Sequence, residues 1–347
     1  MQIQLKSRGE TYTFEARSGE PILFAGVRQS FELPYGCASG TCGTCRVKRL
    51  SGTIQNGWVD APGMKGVDPD TREFLMCQCA ALDDVVAETR SPVHRAQPDD
   101  CRAGYFAGLL RAGPQIARDI MEFSIALESE MSFEAGQFVA IQAPGLQGRR
   151  VYSMTNFEHR ARRLDFVVKR KPGGAFTERL FGGGFDATPV EVFGPLGRAI
   201  FTPSTERHLL VIAGGSGIAG MMSILSRAVE ERHFDRYSGN VFFGVRTWAD
   251  VFYLDTLSRI ADRAGERIRI TVAFSDEDVP PSAAARYPAI SFARGFVHEV
   301  AAGAMSAGYS NTRAFVAGPP PAVDASLRYL LRQAKLSPGE IRFDKFE

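Results

Sequence analysis

Long apolar runs, a surplus of charge of one sign, and cysteine in the last two thirds are all missing from this 347-residue chain. The long uncharged stretch at residues 208–225 contains four glycines and two serines, so no membrane-spanning helix is expected. The first ten residues lack the apolar segment of a secretory signal. With 41 basic and 39 acidic residues the net charge is +2, which argues against a surface that coats nucleic acid. We therefore expect a soluble, cytoplasmic protein.

The length and composition predict a globular protein of several domains. A chain of 347 residues exceeds what one hydrophobic core usually organises, so two or three domains are expected. Hydrophobic residues make up 44% of the chain, and this fraction excludes extended disorder.

Changes of pattern divide the chain into three predicted domains, residues 1–92, 103–204 and 207–347. Alternation in residues 2–6 and 11–15 predicts a β-hairpin, and a helix is predicted from Pro21 to about Gln29. Residues 91–104 lack apolar periodicity and contain two prolines, so they are predicted to be a linker.

The second and third domains are predicted to contain different kinds of sheet. Short runs separated by Gly and Pro indicate a small antiparallel barrel, with strands at 122–128, 137–142, 151–154, 164–170 and 190–193. Alternating strands and helices indicate a parallel α/β sheet. Its predicted strands are 208–213, 241–245, 268–274 and 312–317, and its helices are 218–231, 249–264, 295–304 and 321–334.

All six cysteines lie in the first third of the chain, at Cys37, Cys42, Cys45, Cys77, Cys79 and Cys101. Because intracellular thiols stay reduced, such a group indicates metal or redox chemistry rather than disulfides. The first three follow the C-x4-C-x2-C spacing, and Cys77 follows after 31 intervening residues, as is typical of a plant-type 2Fe–2S cluster. The alternative is a zinc site, but structural zinc usually takes two C-x2-C pairs and the chain has only one.

Two motifs in the second domain suit a flavin. Arg150, Tyr152 and Ser153 form an R-x-Y-S strand, in which Arg pairs with a pyrophosphate, Tyr packs on the ring and Ser reaches N5. Residues 171–177, KPGGAFT, place Gly174 and Thr177 at a helix start that is suited to a pyrophosphate. We include Lys169 among the cofactor-binding residues.

Two further motifs indicate a dinucleotide site in the third domain. Gly214, Gly215, Ser216 and Gly217 follow an apolar strand and open a helix, although the alternative is a plain strand–helix turn because the G-x-G-x-x-G pattern is absent. Residues 315–320 are predicted to end the last core strand and to place Ala317, Gly318 and Pro319 beside a nicotinamide.

Together these motifs resemble the oxygenase-coupled NADH-dependent reductases over nearly the whole chain. The similarity is closest to the electron-transfer components of toluene and phenol monooxygenases and ring-hydroxylating dioxygenases. Further resemblances are WVDAPG at 58–63, CQC at 77–79 and IRFDKF at 341–346. The resemblance implies a multidomain α+β and α/β protein that comprises a β-grasp ferredoxin domain, an antiparallel FAD barrel and a parallel-sheet NAD domain.

The resemblance also implies a function and several residue roles. Hydride passes from NADH to FAD, and single electrons then pass through the 2Fe–2S cluster to an oxygenase component or a small ferredoxin. Cys77 is the expected fourth ligand, while Cys79 and Cys101 are ordinary thiols. Ser153, Ala317 and Phe346 are expected around the hydride-transfer position, and the alternative for Phe346 is core packing. No nucleic-acid or membrane partner is expected.

Two positions depart from the family pattern. The nucleotide loop usually reads GGSGIAP where this chain has Gly220, and the late motif usually begins with cysteine where it has Ala317. Glycine loosens the helix start by about 1 kcal/mol, and a shift of about 1 Å at the reacting atoms costs roughly 10²-fold in rate. The departures therefore predict a weakened hydride step.

Three functional alternatives follow. The first is a reductase that feeds an oxygenase. The second is a reductase-like redox regulator, such as that of tetralin catabolism, which uses NAD(P)H poorly and has a transcription regulator as partner. The third is a nucleotide-binding structural protein, against which the cluster and flavin motifs argue. Asp250 favours NADH by repelling a 2′-phosphate, and its alternative is a helix N-cap.

Overall fold

The computed structural model describes residues 1–96, 101–305 and 308–345. Two compact units are present. The first comprises residues 1–107, 139–151 and 190–196, and the second comprises residues 108–138, 152–189 and 197–347. No helix among the described residues is both long and apolar enough to cross a membrane.

The N-terminal part is a mixed sheet with one helix. Its strands are β1 (Gln2–Ser7), β2 (Glu10–Glu15), β3 (Phe31–Glu32), β4 (Arg46–Ser51), β5 (Ile54–Asn56), β6 (Glu73–Leu75), β7 (Cys79–Ala81), β8 (Val85–Thr89) and β9 (His94–Arg95), and its helix is α1 (Ile22–Arg28). The main sheet has the order β2-β1-β8-β4-β6, with β1 parallel to β8. Alternate residues of β1 are buried, as a half-covered sheet requires. This arrangement is the predicted β-grasp fold.

The middle part is a six-stranded antiparallel sheet. It contains β10 (Gly104–Ala117), β11 (Ile120–Met131), β12 (Phe138–Gln142), β13 (Arg150–Ser153), β14 (Ala161–Lys169) and β15 (Thr188–Leu196), with helix α2 (Ala175–Phe181) between the last two strands. The strand order is β13-β12-β15-β10-β11-β14. The order brings the predicted R-x-Y-S motif to the edge strand β13.

The C-terminal part is a six-stranded parallel sheet. Its strands are β16 (His208–Gly214), β17 (Gly239–Val245), β18 (Ile268–Phe274), β19 (Ile290–Arg294), β20 (Thr312–Gly318) and β21 (Ile341–Lys345). Its helices are α3 (Ile218–Glu230), α4 (Leu254–Ala264), α5 (Ala283–Arg286), α6 (Val297–Ala304) and α7 (Pro320–Arg332). The order β19-β18-β17-β16-β20-β21 makes β16, which leads into the glycine-rich loop, a central strand. Its apolar residues are buried with those of β17 and β20.

Several elements differ from the sequence prediction. The sequence does not predict β10, β19 or β21. Within β10, Gly113 and Pro114 break the residue pattern that would indicate a strand. Residues 315–318 end β20, the last interior strand of this sheet, and β21 follows it as an edge strand that the sequence does not predict. The helix predicted at 249–264 begins only at Leu254, since Tyr253 has a left-handed φ of 63°.

Residues 97–100 of the predicted linker lie outside the described residues, and β9 lies within that linker.

Candidate functional site

Three of the predicted cluster ligands, Cys37, Cys42 and Cys45, lie in the loop between β3 and β4. The loop reverses with positive φ at Gly40 (92°) and Gly43 (74°). A side chain at Gly43 would place its Cβ 3.0 Å from the carbonyl oxygen of Gly63 in the WVDAPG segment, so these positions need glycine for both conformation and space.

Four cysteines form two pairs. The Sγ atoms of Cys45 and Cys77 lie 3.2 Å apart. In the second pair the backbone N–H of Cys42 points to Cys37 Sγ at 3.3 Å, and the N–H of Cys37 points to Cys42 Sγ at 3.4 Å. A hydrogen bond from the Cys42 thiol lowers the pKa of Cys37 to about 4, and the Cys77 thiol lowers the pKa of Cys45 in the same way.

The pairing fits two irons better than one zinc ion. Each iron of a 2Fe–2S cluster takes two thiolates, whereas zinc draws three or four ligands to one point. Among residues 1–96, 101–305 and 308–345, no group of three or more His, Cys, Asp or Glu side chains is placed to hold a single metal ion. The N–H groups of Ser39 and Thr44 point to Cys37 Sγ and Cys42 Sγ at 3.4 and 3.5 Å. Such donors stabilise negative sulfur in a cluster.

The other cysteines lie differently. Cys79 is fully buried, and burial raises its pKa to about 12. Cys101 is half-buried. Contact with Cys45 thus distinguishes Cys77 from Cys79.

The two predicted flavin motifs meet through their aromatic side chains. Tyr152 packs on Phe176 of α2 with a centroid separation of 5.2 Å. It also meets Phe123 of β11 edge to face at 5.2 Å. The next residue, Ser153, is 6% exposed. The motifs at 150–153 and 171–177 therefore belong to one packed cluster.

Arg150 and Lys169 are cations that no carboxylate neutralises within the part of the chain that the structure describes. The Nη1 of Arg150 donates only to the backbone carbonyls of Gln147 and Arg149, both at 3.2 Å. Lys169 ends β14 and is exposed. Arg149, in contrast, pairs with Glu191. Cations without a carboxylate partner are free to bind a phosphate.

Thr177 is bonded within its own loop. Its hydroxyl accepts the N–H of Lys171 at 3.1 Å and lies within bonding distance of the carbonyls of Lys171 and Gly174. Gly173 has a φ of 72° and open space where a Cβ would be. Thr177 thus shapes the turn before α2. Gly173 is its open side, whereas a Cβ at Gly174 would lie 2.9 Å from the hydroxyl of Thr177 and 3.0 Å from the carbonyl oxygen of Lys171.

The two nucleotide motifs touch each other. A Cβ at Gly217 would lie 2.6 Å from the carbonyl of Ala317 and from Gly318 Cα. Gly214 and Pro319 are also in contact, since a Cβ at Gly214 would lie 3.3 Å from Pro319 Cδ. The ends of β16 and β20 therefore form one surface, with Ser216 half-buried on it.

Gly220, one of the two departures from the family pattern, faces the flavin strand. A Cβ there would lie 3.4 Å from the Cβ of Ser153 and 3.5 Å from the carbonyl oxygen of Gly136. Ser223, one turn later, accepts the N–H of Gly136 at 2.9 Å and donates to the carbonyl of Gly220 at 2.8 Å. The start of α3 is thus bonded to the segment before β12.

Asp250 is not an N-cap, which corrects that sequence interpretation, and its carboxylate is bonded rather than free. Thr247 is the N-cap of the short turn at Trp248–Asp250, and Asp250 accepts its N–H at 3.0 Å. Arg118 donates to the same carboxylate at 2.7 Å and offsets its charge. These bonds, outweighing burial, lower the pKa of Asp250. Repulsion of a 2′-phosphate by Asp250 is therefore unsupported.

The sequence prediction overlooks Asp344. It stands opposite Ala317 in the β20–β21 pairing, and burial raises its pKa to about 7. The only sequence signal is its place in the IRFDKF ending. Phe346, the predicted flavin cover, lies outside the described residues.

Models of three families match successive parts of the chain. They are a 2Fe–2S iron-sulfur cluster binding domain at residues 5–82, an oxidoreductase FAD-binding domain at 108–201 and an oxidoreductase NAD-binding domain at 211–327. The predicted cofactors, FAD, 2Fe–2S and NADH, agree with these three domains.

Relatives match over nearly their full length. The ferredoxin–NAD(+) reductase component of the alkene monooxygenase system of Xanthobacter autotrophicus is 30% identical over 340 residues, covering 96% of this chain and 98% of the relative. The reductase component of phenol 2-monooxygenase from Pseudomonas sp. CF600 is 27% identical over 347 residues, covering 99% and 94%. Both are reductase components, so the regulator alternative has no support here.

Two solved structures of reductases match nearly the whole chain. The ferredoxin reductase in carbazole 1,9a-dioxygenase matches with a TM-score of 0.80 and 28% identity, covering 100% of this chain and 99% of that one. The Amycolatopsis cytochrome P450 reductase matches with a TM-score of 0.80 and 26% identity, covering 99% and 98%. The predicted fold class, with a ferredoxin-type domain, an antiparallel FAD-binding sheet and a parallel NAD-binding sheet, is confirmed.

Proposed function

Because the chain belongs to the family of NADH-dependent ferredoxin-type reductase components of oxygenase systems, we propose that it supplies electrons to an oxygenase component or a small ferredoxin of aromatic or hydrocarbon oxidation. When bound, FAD accepts hydride from NADH and passes electrons singly to the 2Fe–2S cluster. The proposed domains are residues 1–92, 103–204 and 207–347. A cytoplasmic location suits the free cysteines.

The cluster ligands in this proposal are Cys37, Cys42, Cys45 and Cys77. Two thiol pairs match two irons, and backbone N–H groups surround the sulfurs. The loop between β3 and β4 supplies three ligands and the turn after β6 supplies the fourth.

The proposed flavin site uses the R-x-Y-S strand. Arg150 and Lys169 bind phosphate oxygens, because no carboxylate of the described residues competes for them. Tyr152 packs on the ring, supported by Phe123 and Phe176. Gly174 and Thr177 shape the turn that receives the pyrophosphate.

The proposed nucleotide surface comprises the GGSG turn, Gly214, Gly215, Ser216 and Gly217, with Ala317, Gly318 and Pro319 beside it. Ser153 and Ala317 are the proposed residues at the hydride-transfer position, and Phe346 is proposed to cover the flavin face in the absence of a nicotinamide.

The close approach of Ser153 to Gly220 is the observation that best supports the proposed hydride transfer. A flavin bound along β13 and a dinucleotide bound at the turn before α3 would both lie beside this contact. Ser153 and the start of α3 would then hold the hydride donor and acceptor close together, as hydride transfer requires.

Anaerobic mixing of the purified holoprotein with NADH tests the function. We expect loss of the flavin absorbance band, followed by the electron paramagnetic resonance signal of a reduced 2Fe–2S cluster. A protein that contains both cofactors and is reduced by dithionite but not by NADH contradicts the proposal.

A further inference from the structure

Gln147 is exposed in the loop between β12 and β13, and its side chain reaches toward the cluster. Its Nε2 donates to the carbonyl oxygen of Gly57 at 3.3 Å. The N–H of Gly57 donates to the carbonyl of Gln78 at 2.8 Å. The Nε2 of Gln78 lies 3.6 Å from Cys77 Sγ, within range of a hydrogen bond to sulfur. A continuous set of contacts therefore joins Gln147 to the proposed fourth ligand.

The main chain of Gln147 contacts the other cofactor site. Its carbonyl oxygen accepts from Nη1 of Arg150, the proposed phosphate-binding residue, at 3.2 Å. One residue is thus bonded through its backbone to the flavin strand and through its side chain to the segment beside the cluster. All these residues lie in the first compact unit.

The loop that carries Gln147 is fixed at a second point. Arg149 pairs with Glu191, and its guanidinium lies 5.3 Å from the ring centroid of Phe24 in α1. Phe24 stacks on Phe193 of β15 with a centroid distance of 4.3 Å. Both the cation–π contact and the stacked pair join the ferredoxin part to the flavin sheet.

We infer that Gln147 is a positioning residue for electron transfer from the flavin to the cluster, an inference that rests on the proposed function. Hydrogen bonds to cluster sulfurs influence the reduction potential, and second-shell groups set the orientation of the donors that make them. Gln147 holds Gly57, Gly57 holds the backbone of Gln78, and Gln78 donates to Cys77. Hydride brings two electrons to the flavin, and the cluster takes one of them at a time.

Three variants of the full-length holoprotein test the inference. Gln147→Ala removes the donor to Gly57, whereas Gln147→Lys keeps a donor of sufficient length. Gln142→Ala is the matched control, because Gln142, the last residue of β12, donates from Nε2 to the carbonyl oxygen of Leu146 at 2.9 Å and not to Gly57. Each variant is assayed for FAD, iron, flavin reduction by NADH, the subsequent cluster reduction, and the cluster potential in a dithionite titration.

We expect Gln147→Ala to slow cluster reduction at least fivefold and to lower the cluster potential, while FAD content, iron content and flavin reduction match the parent. Gln147→Lys and Gln142→Ala should stay within twofold of the parent. An unchanged rate and potential in Gln147→Ala, an equal defect in Gln142→Ala, or loss of FAD from Gln147→Ala would each overturn the inference. A parent that NADH does not reduce would instead overturn the proposed function.

Discussion

Gly220 at the start of α3 and Ser153 at the end of β13 lie so close that a Cβ added at Gly220 would touch the Cβ of Ser153 at 3.4 Å. This distance is ordinary van der Waals contact, so the position admits a small side chain. Because glycine has no Cβ, the space beside Ser153 is wider than it would be with any other residue at position 220. Gly220 is therefore a direct test point for the hydride step.

The double change Gly220→Pro with Ala317→Cys should speed flavin reduction by NADH about tenfold. Proline fixes φ in the first helical turn, and the thiol makes the side chain at position 317 larger, so the nicotinamide would be held more tightly for transfer. Stopped-flow absorbance under anaerobic conditions measures the rate. Gly220→Ala is the control, because it adds the Cβ without fixing φ. A parent that NADH reduces fully within milliseconds, with no gain in the variant, would show that both departures are neutral.

Cys42→Ser should remove the cluster and leave FAD bound. Cys42 is the exposed member of its pair, so the substitution removes a proposed ligand without opening a core. Iron and acid-labile sulfide per chain measure the cluster, and absorbance after heat release measures FAD. Cys101→Ser is the matched control and should keep its iron. Full iron content in Cys42→Ser would refute the ligand assignment.

Arg150→Ala should weaken FAD binding by about 10- to 100-fold. The change removes a charge-assisted hydrogen bond to phosphate, which is typically worth about 1.5–3 kcal/mol. Titration of the apoprotein with FAD, followed by fluorescence quenching, gives Kd. Arg162→Ala serves as control, since Arg162 is exposed on β14 and pairs with Glu130. Equal Kd values for Arg150→Ala and the parent would place the flavin phosphates elsewhere.

The buried carboxyl of Asp344 should make stability depend on pH. Burial raises its pKa from 3.8 to about 7, so between these values the folded protein holds a proton that the unfolded chain has lost. Stability from this group is therefore complete below pH 4, falls as pH rises to 7, and is constant above that. Asp344→Asn should raise the free energy of unfolding by about 1–2 kcal/mol at pH 8, because partial exposure of the residue reduces the full effect of such a shift.

Thermal unfolding at pH 4 and pH 8 measures the effect. The gain in stability of Asp344→Asn should vanish at pH 4, where the side chain at position 344 is neutral in the folded parent as well as in the variant. Asp262→Asn, on the exposed face of α4, controls for the general loss of a charge. A gain that is equal at both pH values would show that the Asp344 carboxyl is not desolvated.

Local patterns predict the cofactor motifs well, because each motif is contiguous in sequence and depends on a single turn. The ligand spacing of Cys37, Cys42 and Cys45 and the GGSG turn after β16 are of this kind. Strand β21 is different. Its five residues, IRFDK, alternate apolar and polar over only four positions, which is too short a run to predict a strand, and they form one by pairing with the edge of β20.

The role of Asp250 could not be predicted for a related reason. Its neighbours in sequence suggest a helix cap, but Arg118, 132 residues away, determines the charge that it presents. Likewise, nothing near Gln147 in the sequence indicates a contact with Gly57. Interactions between distant segments depend on the assembled fold, and one sequence does not encode them in any short pattern.

The close approach of Gly217 to Ala317 limits how this protein can be altered for a different coenzyme. Any residue other than glycine at 217 would place a Cβ 2.6 Å from the backbone of β20 and push that strand away from the turn. Gly215 has open space at its Cβ, and its φ of 54° still admits asparagine or aspartate. A mutant library directed at coenzyme preference should therefore keep codon 217 fixed and vary codon 215.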